Sequence, residues 1–142
     1  MDKALHYLSL ARKGGRAELG EEPVGAAARA AKAHLIIVAK DAGDHTWRRA
    51  KSYVSGTQQQ CIKVPYTKDE LGFAIGRTSL AMEELTDAGL ALAFVNALEQ
   101  PDPAVQEVLQ EKTRRQKKVR QDAKAHQRNV RKGKKSKIHK EG

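Results

Sequence analysis

A single cysteine, Cys61, stands in this chain of 142 residues, so no disulfide can form within it. That usage fits a reducing compartment and predicts a cytoplasmic setting. Aromatic residues make up only 4% of the sequence. The stretch 101–142 has none, which excludes base stacking as a source of sequence preference there. Long apolar runs are missing too. Nothing approaches the ~18–20 residues of a membrane span, so no membrane partner is expected. The first residues lack the apolar block and small-residue cleavage site of a secretory signal, and no internal repeat is visible. His6, His34, His45, His126 and His139 are scattered, and none joins Cys61 at a metal-ligand spacing. There is no trustworthy Ser/His/Asp order, no Gly-rich phosphate cradle and no carboxylate pair in an evident cleft. The sequence therefore predicts no enzyme activity, no metal and no cofactor.

Charge, by contrast, is abundant and uneven. The formal net charge is +10. Residues 1–100 hold 13 Lys/Arg against 12 Asp/Glu, while residues 101–142 hold 14 against 5. A nearly neutral domain is thus followed by a basic tail, with the boundary near Gln100-Pro101. Such a tail most often meets nucleic acid. Its cations Arg114, Arg115, Lys117, Lys118, Arg120, Lys124, Arg128, Arg131 and Lys132 are the candidate phosphate contacts. Val105, Val108, Leu109 and Val119 are its few apolar anchors. Composition predicts helix in the first part and disorder from about Gly133.

The domain is organised around Gly20 to Asp41. Leu35-Ile-Ile-Val-Ala39 is a short apolar run rich in β-branched residues, the pattern of a strand buried on both faces. Before it lies a small-residue helix whose start is marked by Gly20, Glu21, Glu22 and Pro23, with Pro23 suited to the first helical position. Upstream, Asp2 caps a helix with Leu5, Leu8 and Ala11 on its apolar face, and Arg16–Leu19 reads as an edge strand. Downstream, Asp44 is a candidate N-cap for a helix that turns Trp47, Ala50 and Val54 inward and Arg48, Arg49 and Lys51 outward. Cys61-Ile-Lys-Val64 reads as a second central strand closed by Pro65. Thr67-Lys-Asp-Glu70 matches a capping box, Ala81–Thr86 is assigned as a strand, and Asp87 caps a helix bearing Leu90, Phe94, Val95 and Leu98. Helices alternating with short apolar strands predict an α/β sheet covered on both faces.

In this order the residues resemble a known family. Ala11-Arg-Lys-Gly-Gly15, Gly20-Glu-Glu, Leu35-Ile-Ile-Val-Ala-Lys-Asp-Ala42, the stretch Val64 to Gly76 and Thr86-Asp-Ala-Gly89 together resemble the ribosomal kink-turn-binding superfamily. That group includes archaeal and eukaryotic large-subunit ribosomal proteins and small bacterial homologues. The likeness spans roughly residues 4–98 and does not reach the tail. It implies a three-layer α/β/α sandwich with a mixed four-stranded sheet. It also implies RNA, ribosomal or otherwise structured, as partner, the ribosome among the candidates. The implied surface comprises Gly20 to Ala26, Lys40 to Gly43 and Gly76 to Leu80, with Gly20, Glu21, Glu22, Lys40, Asp41, Arg77, Thr78 and Ser79 as contacts. A helix N-terminus offers N–H groups to phosphate, and carboxylates accept from exposed guanine edges.

Three positions depart from the family signature. Glu22 stands where the family has Asn, Pro23 where it has Glu, and Ala26 where it has Lys. This predicts altered or weakened kink-turn readout, with Arg29, one turn beyond Ala26, as a compensating cation. The alternative expectation is a protein-interaction module with a degenerate RNA site and a nonspecific nucleic-acid-binding tail.

Overall fold

The computed structural model describes residues 2–141, with side chains through residue 128. Helix α1 (Lys3–Lys13) opens at Asp2, whose Oδ1 accepts from the Ala4 N–H at 2.8 Å. Strand β1 (Ala17–Leu19) leads through Gly20 into helix α2 (Glu21–Arg29), then strand β2 (Leu35–Val38). Helix α3 (Asp44–Val54) and strand β3 (Gln60–Lys63) follow. Helix α4 (Lys68–Ala74) begins in the expected capping box: the Thr67 side chain accepts from the Glu70 N–H, and the Glu70 side chain accepts from the Thr67 N–H. Strand β4 (Met82–Leu85), helix α5 (Ala88–Asn96) and helix α6 (Pro103–Glu141) complete the order. Asp87 caps α5 through a 2.8 Å bond from the Leu90 N–H.

The four strands lie in the order β1-β4-β2-β3. Strand β4 is antiparallel to both neighbours, and β3 is parallel to β2, so the sheet is mixed as expected. Helix α1 packs with α4 and α5, and α2 packs with α3, giving a layer on each face. All four residues of β2 are buried. Among the described residues no helix is long and apolar enough to cross a membrane.

Several local expectations change. The run from Cys61 forms an edge strand, not a second central one, because β4 takes the inner place beside β2. Cys61 is accordingly half-buried and Lys63 exposed. Pro23 is the third helical residue of α2, not the first; its missing N–H costs nothing there, since no first-turn donor has an intrahelical acceptor. Gly43, in extended geometry, is the N-cap of α3, and Asp44 is the first residue inside, where its carboxylate still favours the helix dipole.

The chain divides into two compact units, Met1–Gln110 and Glu111–Gly142. The first runs past Gln100 because Val105 and Leu109, 5% and 0% exposed, belong to its core. Asp102 starts α6 by accepting from the N–H groups of Ala104 and Val105. The helical backbone extends to Glu141, through the stretch from Gly133 where composition predicts disorder. Lys and Arg propagate a helix well once several turns are nucleated.

Strand β4 carries two residues that its surface-like sequence does not announce as core. Glu83 and Glu84 are both 0% exposed, and no carboxylate oxygen of either has a hydrogen-bond partner. Adjacent strand residues point to opposite faces, so one carboxyl enters each layer. Desolvation pushes both up to about 8, and for Glu84 the charges of Glu18 and Glu83 add to it. Neutral acids sit there at pH 7 because an ionised, unpaired carboxylate is far costlier to bury. The unfolded chain releases these protons near 4.5, whereas the folded chain keeps them to about 8. Their contribution to stability is therefore full below 4.5 and lost as pH rises through 8. Urea midpoints measured from pH 5 to pH 9 should fall steadily, and Glu83→Gln/Glu84→Gln should flatten the decline and raise the midpoint at the alkaline end.

Candidate nucleic-acid interface

The strand directions bring three segments to one end of the sheet. Strands β1 and β2 both finish there, and antiparallel β4 begins there. Backbone hydrogen bonds close the arrangement. Gly20 N–H donates to the Met82 carbonyl at 2.9 Å, Ala39 to Ala81 at 3.0 Å, Lys40 to Tyr66 at 2.9 Å and Leu80 to Lys68 at 2.9 Å. Residues separated by some sixty positions thus form one rim: the start of α2, the Lys40–Gly43 turn and the Arg77–Ser79 loop.

Gly20 has φ +94°, a conformation that side-chain-bearing residues rarely adopt. It is the N-cap of α2 and supplies no side-chain cap. With Pro23 lacking an N–H, the Glu21 and Glu22 amides are the donors that this helix end presents. Glu21 is not a free anion. Its Oε2 accepts from Arg49 Nη1 of α3 at 2.9 Å. The pair is partly exposed and contributes no more than about 1 kcal/mol to stability, but it offsets one of the two carboxylates beside the helix end. Helices α2 and α3 meet where Gly25 faces Tyr53; a Cβ on Gly25 would lie 3.0 Å from the ring. Glu22 is exposed, whereas Arg29 lies in the last turn of α2, about 12 Å of helix away from the rim. The structure does not bring Arg29 to Lys40 and Arg77.

Lys40 is exposed at the end of β2. Asp41 Oδ1 accepts from the Lys68 N–H at 2.8 Å, so this carboxylate holds the start of α4. In the third segment Arg77, Thr78 and Ser79 are all exposed. The loop lies directly on α4 at Gly72: a Cβ there would fall 2.7 Å from Ser79 N and 2.9 Å from the Arg77 carbonyl oxygen. Arg77 N–H also donates to the Gly72 carbonyl at 2.8 Å. Next to it, Gly76 turns with φ +76°, and Arg12 Nη1 of α1 stands 4.0 Å from where its Cβ would be.

Two cations at or beside the rim, Arg12 and Arg49, escaped the sequence reading. Both sit on neighbouring helices, α1 and α3, outside the three segments of the rim, and only the Arg-Lys-Gly-Gly run at Arg12 hinted at one of them. Trp47 is half-buried against the core, with the Lys51 and Lys63 ammoniums 5.7 and 5.5 Å from its ring centroid, so its ring is occupied. Burial pushes the Cys61 thiol up while Lys51 opposes the shift, leaving a poor nucleophile at ordinary pH. Among the described residues no His/Cys/Asp/Glu cluster is suited to a metal.

In the second unit Arg114, Arg115, Lys117, Lys118, Arg120, Lys124 and Arg128 are exposed on helix. Arg114 and Arg115 both pair with Glu111. Lys117, Arg120, Lys124 and Arg128 recur every three or four residues, a stripe about 17 Å long. The Lys112 ammonium is pushed down by burial and by the Arg115 charge. The side chains of Arg131 and Lys132 lie outside the described residues.

No family model matches the sequence, and no curated protein matches it. Solved structures do. A protein of unknown function from Bacillus halodurans superposes with a TM-score of 0.65 at 27% identity, over 70% of this chain and 100% of that one. A 15.5kD RNA binding protein from Giardia lamblia superposes with a TM-score of 0.56 at 14% identity, over 67% of this chain and 81% of that one. The second likeness is one of fold: the mixed four-stranded α/β architecture is shared.

The close approach at Gly72 generates a test. Gly72→Ala drives a methyl group into loop backbone, which must shift to admit it, and should cost about 1–3 kcal/mol in denaturant unfolding. Amide chemical shifts of Arg77 to Ser79 should move more than those of β2.

Proposed function

We propose that this chain is a non-enzymatic RNA-binding protein that holds a bent or looped structured RNA on the rim and lays its basic helix along the RNA backbone. The observation that carries the reading is the convergence of the α2 N-terminus, Lys40 and Arg77 at one sheet end. Amide donors, two cations and a loop of short polar side chains face solvent together there. That is the equipment for phosphate contact combined with recognition of unpaired bases. The fold shared with the Giardia RNA binding protein supports it, as does the charge of the tail. The departures at Glu22, Pro23 and Ala26 mean that a kink-turn would be read by a different side-chain set from that of the family it resembles. Ribosomal RNA in a cytoplasmic setting is the partner class that fits this resemblance.

One observation favours a second reading. Both Glu21 and Asp41 are engaged within the protein, through Arg49 and the Lys68 amide, and so are less available to guanine edges. In a protein-interaction module the domain would bind no shaped RNA and only the tail would contact nucleic acid.

The two readings separate in titrations of the full chain against kink-turn RNA, plain duplex RNA and duplex DNA at several salt concentrations. The RNA-binding reading expects the distorted RNA to bind tightest. Lys40→Ala/Arg77→Ala should then bring it to the level of duplex RNA. Replacing Arg114, Arg115, Lys117 and Lys118 with Gln should weaken all three, lowering the salt slope by about 0.7–0.9 per phosphate no longer neutralised. Equal affinity for all three nucleic acids rules out a shaped site.

A further inference from the structure

Helix α3 turns Ala50 into the core and leaves a cationic stripe outside. His45, Arg48, Arg49 and Ser52, spaced by three, one and three, line a shallow depression of about 320 Å³. All four are exposed. Ser52 Oγ donates to the Arg49 carbonyl at 2.7 Å, which fixes the hydroxyl on this face. Arg48 Nε makes only a long 3.4 Å contact with the Asp44 carbonyl, and neither Arg48 nor His45 has an ion-pair partner among the described residues. Arg49 spans the distance to the first helical residue of α2 through its 2.9 Å bond to Glu21. The stripe is therefore continuous with the rim, not a separate patch.

We propose that this stripe is a phosphodiester cradle that carries the RNA footprint from the rim onto α3. The inference rests on the RNA-binding reading above and extends it to a surface that reading does not use. Two guanidiniums and an imidazole around one open hollow suit the oxygens of a backbone phosphate, and arginine takes phosphate in bidentate fashion. The chemistry reads backbone and not sequence: no aromatic side chain lines the hollow, and the nearby Trp47 ring is already covered by two ammoniums. Arg49 serves twice. It contributes to the hollow and it masks the Glu21 carboxylate, which would otherwise repel a phosphate approaching the α2 amides. The two side chains are 43% and 32% exposed, so the guanidinium reaches solvent while paired.

The test uses the full chain and the kink-turn RNA, with affinity measured against salt. Arg48→Ala/Arg49→Ala should lower the slope of log K against log salt by about 0.7–0.9 for each phosphate that the pair neutralises in the unaltered chain. Arg48→Lys/Arg49→Lys should keep the slope, since the charges remain. Arg49→Ala alone should weaken binding more than Arg48→Ala alone, and adding Glu21→Gln to Arg49→Ala should bring it back to the Arg48→Ala level. An unchanged slope in the double alanine variant overturns the cradle, as does a lysine variant that behaves like the alanine one. If the unaltered chain binds RNA while these variants bind equally well, the cradle alone fails. If the unaltered chain binds no RNA, the broader reading fails with it.

Discussion

The antiparallel insertion of β4 between β1 and β2 is the constraint on which the rest depends. It brings the residues before Met82 to the end of the sheet where β1 and β2 finish. Four backbone hydrogen bonds then tie Gly20, Ala39, Lys40 and Leu80 to partners across the chain. The rim is thus an amide framework first and a set of side chains second. Its positions are set by sheet geometry, which tolerates little displacement. Glycines complete the framework: Gly20 through its positive φ, and Gly72 where a side chain has no space beneath the Arg77–Ser79 loop.

The same strand explains an unusual distribution of charge. A central strand is closed off on both faces, so its side chains cannot remain ionised without partners. Glu83 and Glu84 therefore keep their protons at neutral pH. Carboxylates at the rim are managed differently. Glu21 meets Arg49, Asp41 meets the Lys68 amide, and Glu22 is left to solvent. The anionic character expected around the start of α2 is consequently smaller than a count of Asp and Glu suggests. Cations from α1 and α3 stand beside rim segments distant from them in the chain: Arg12 beside Gly76 and Arg49 on Glu21.

Under the proposed reading, the two units would divide recognition by chemistry. The first offers fixed donors and shaped loops, suited to a distorted RNA whose bases are exposed. The second offers regularly spaced cations on a helix without aromatic residues, suited to phosphates in any sequence context.

Much of this was legible in the residues alone. The apolar run at Leu35 marked the buried strand, the Thr67–Glu70 box marked the start of α4, and the Asp87 cap marked α5. The charge step after Gln100 separated the basic tail. These signals are local, carried by hydrogen bonds and burial patterns within a few residues of each other. Sheet order was not local. Nothing in Cys61–Val64 distinguishes an edge strand from a central one, and Met82-Glu-Glu-Leu85 looks like surface until its neighbours enclose it. Pairings such as Arg49 with Glu21, and Asp41 with the start of α4, cross 28 and 27 positions. Up to the end of the tail, where composition predicts disorder and the backbone is helical, the sequence by itself determined which segments become helix or strand and where the positive charge lies, because those follow from periodicity, caps and composition. Only the tertiary structure decided which loops share a rim, which carboxylates are masked and which are buried as acids, because those depend on how distant segments enclose one another.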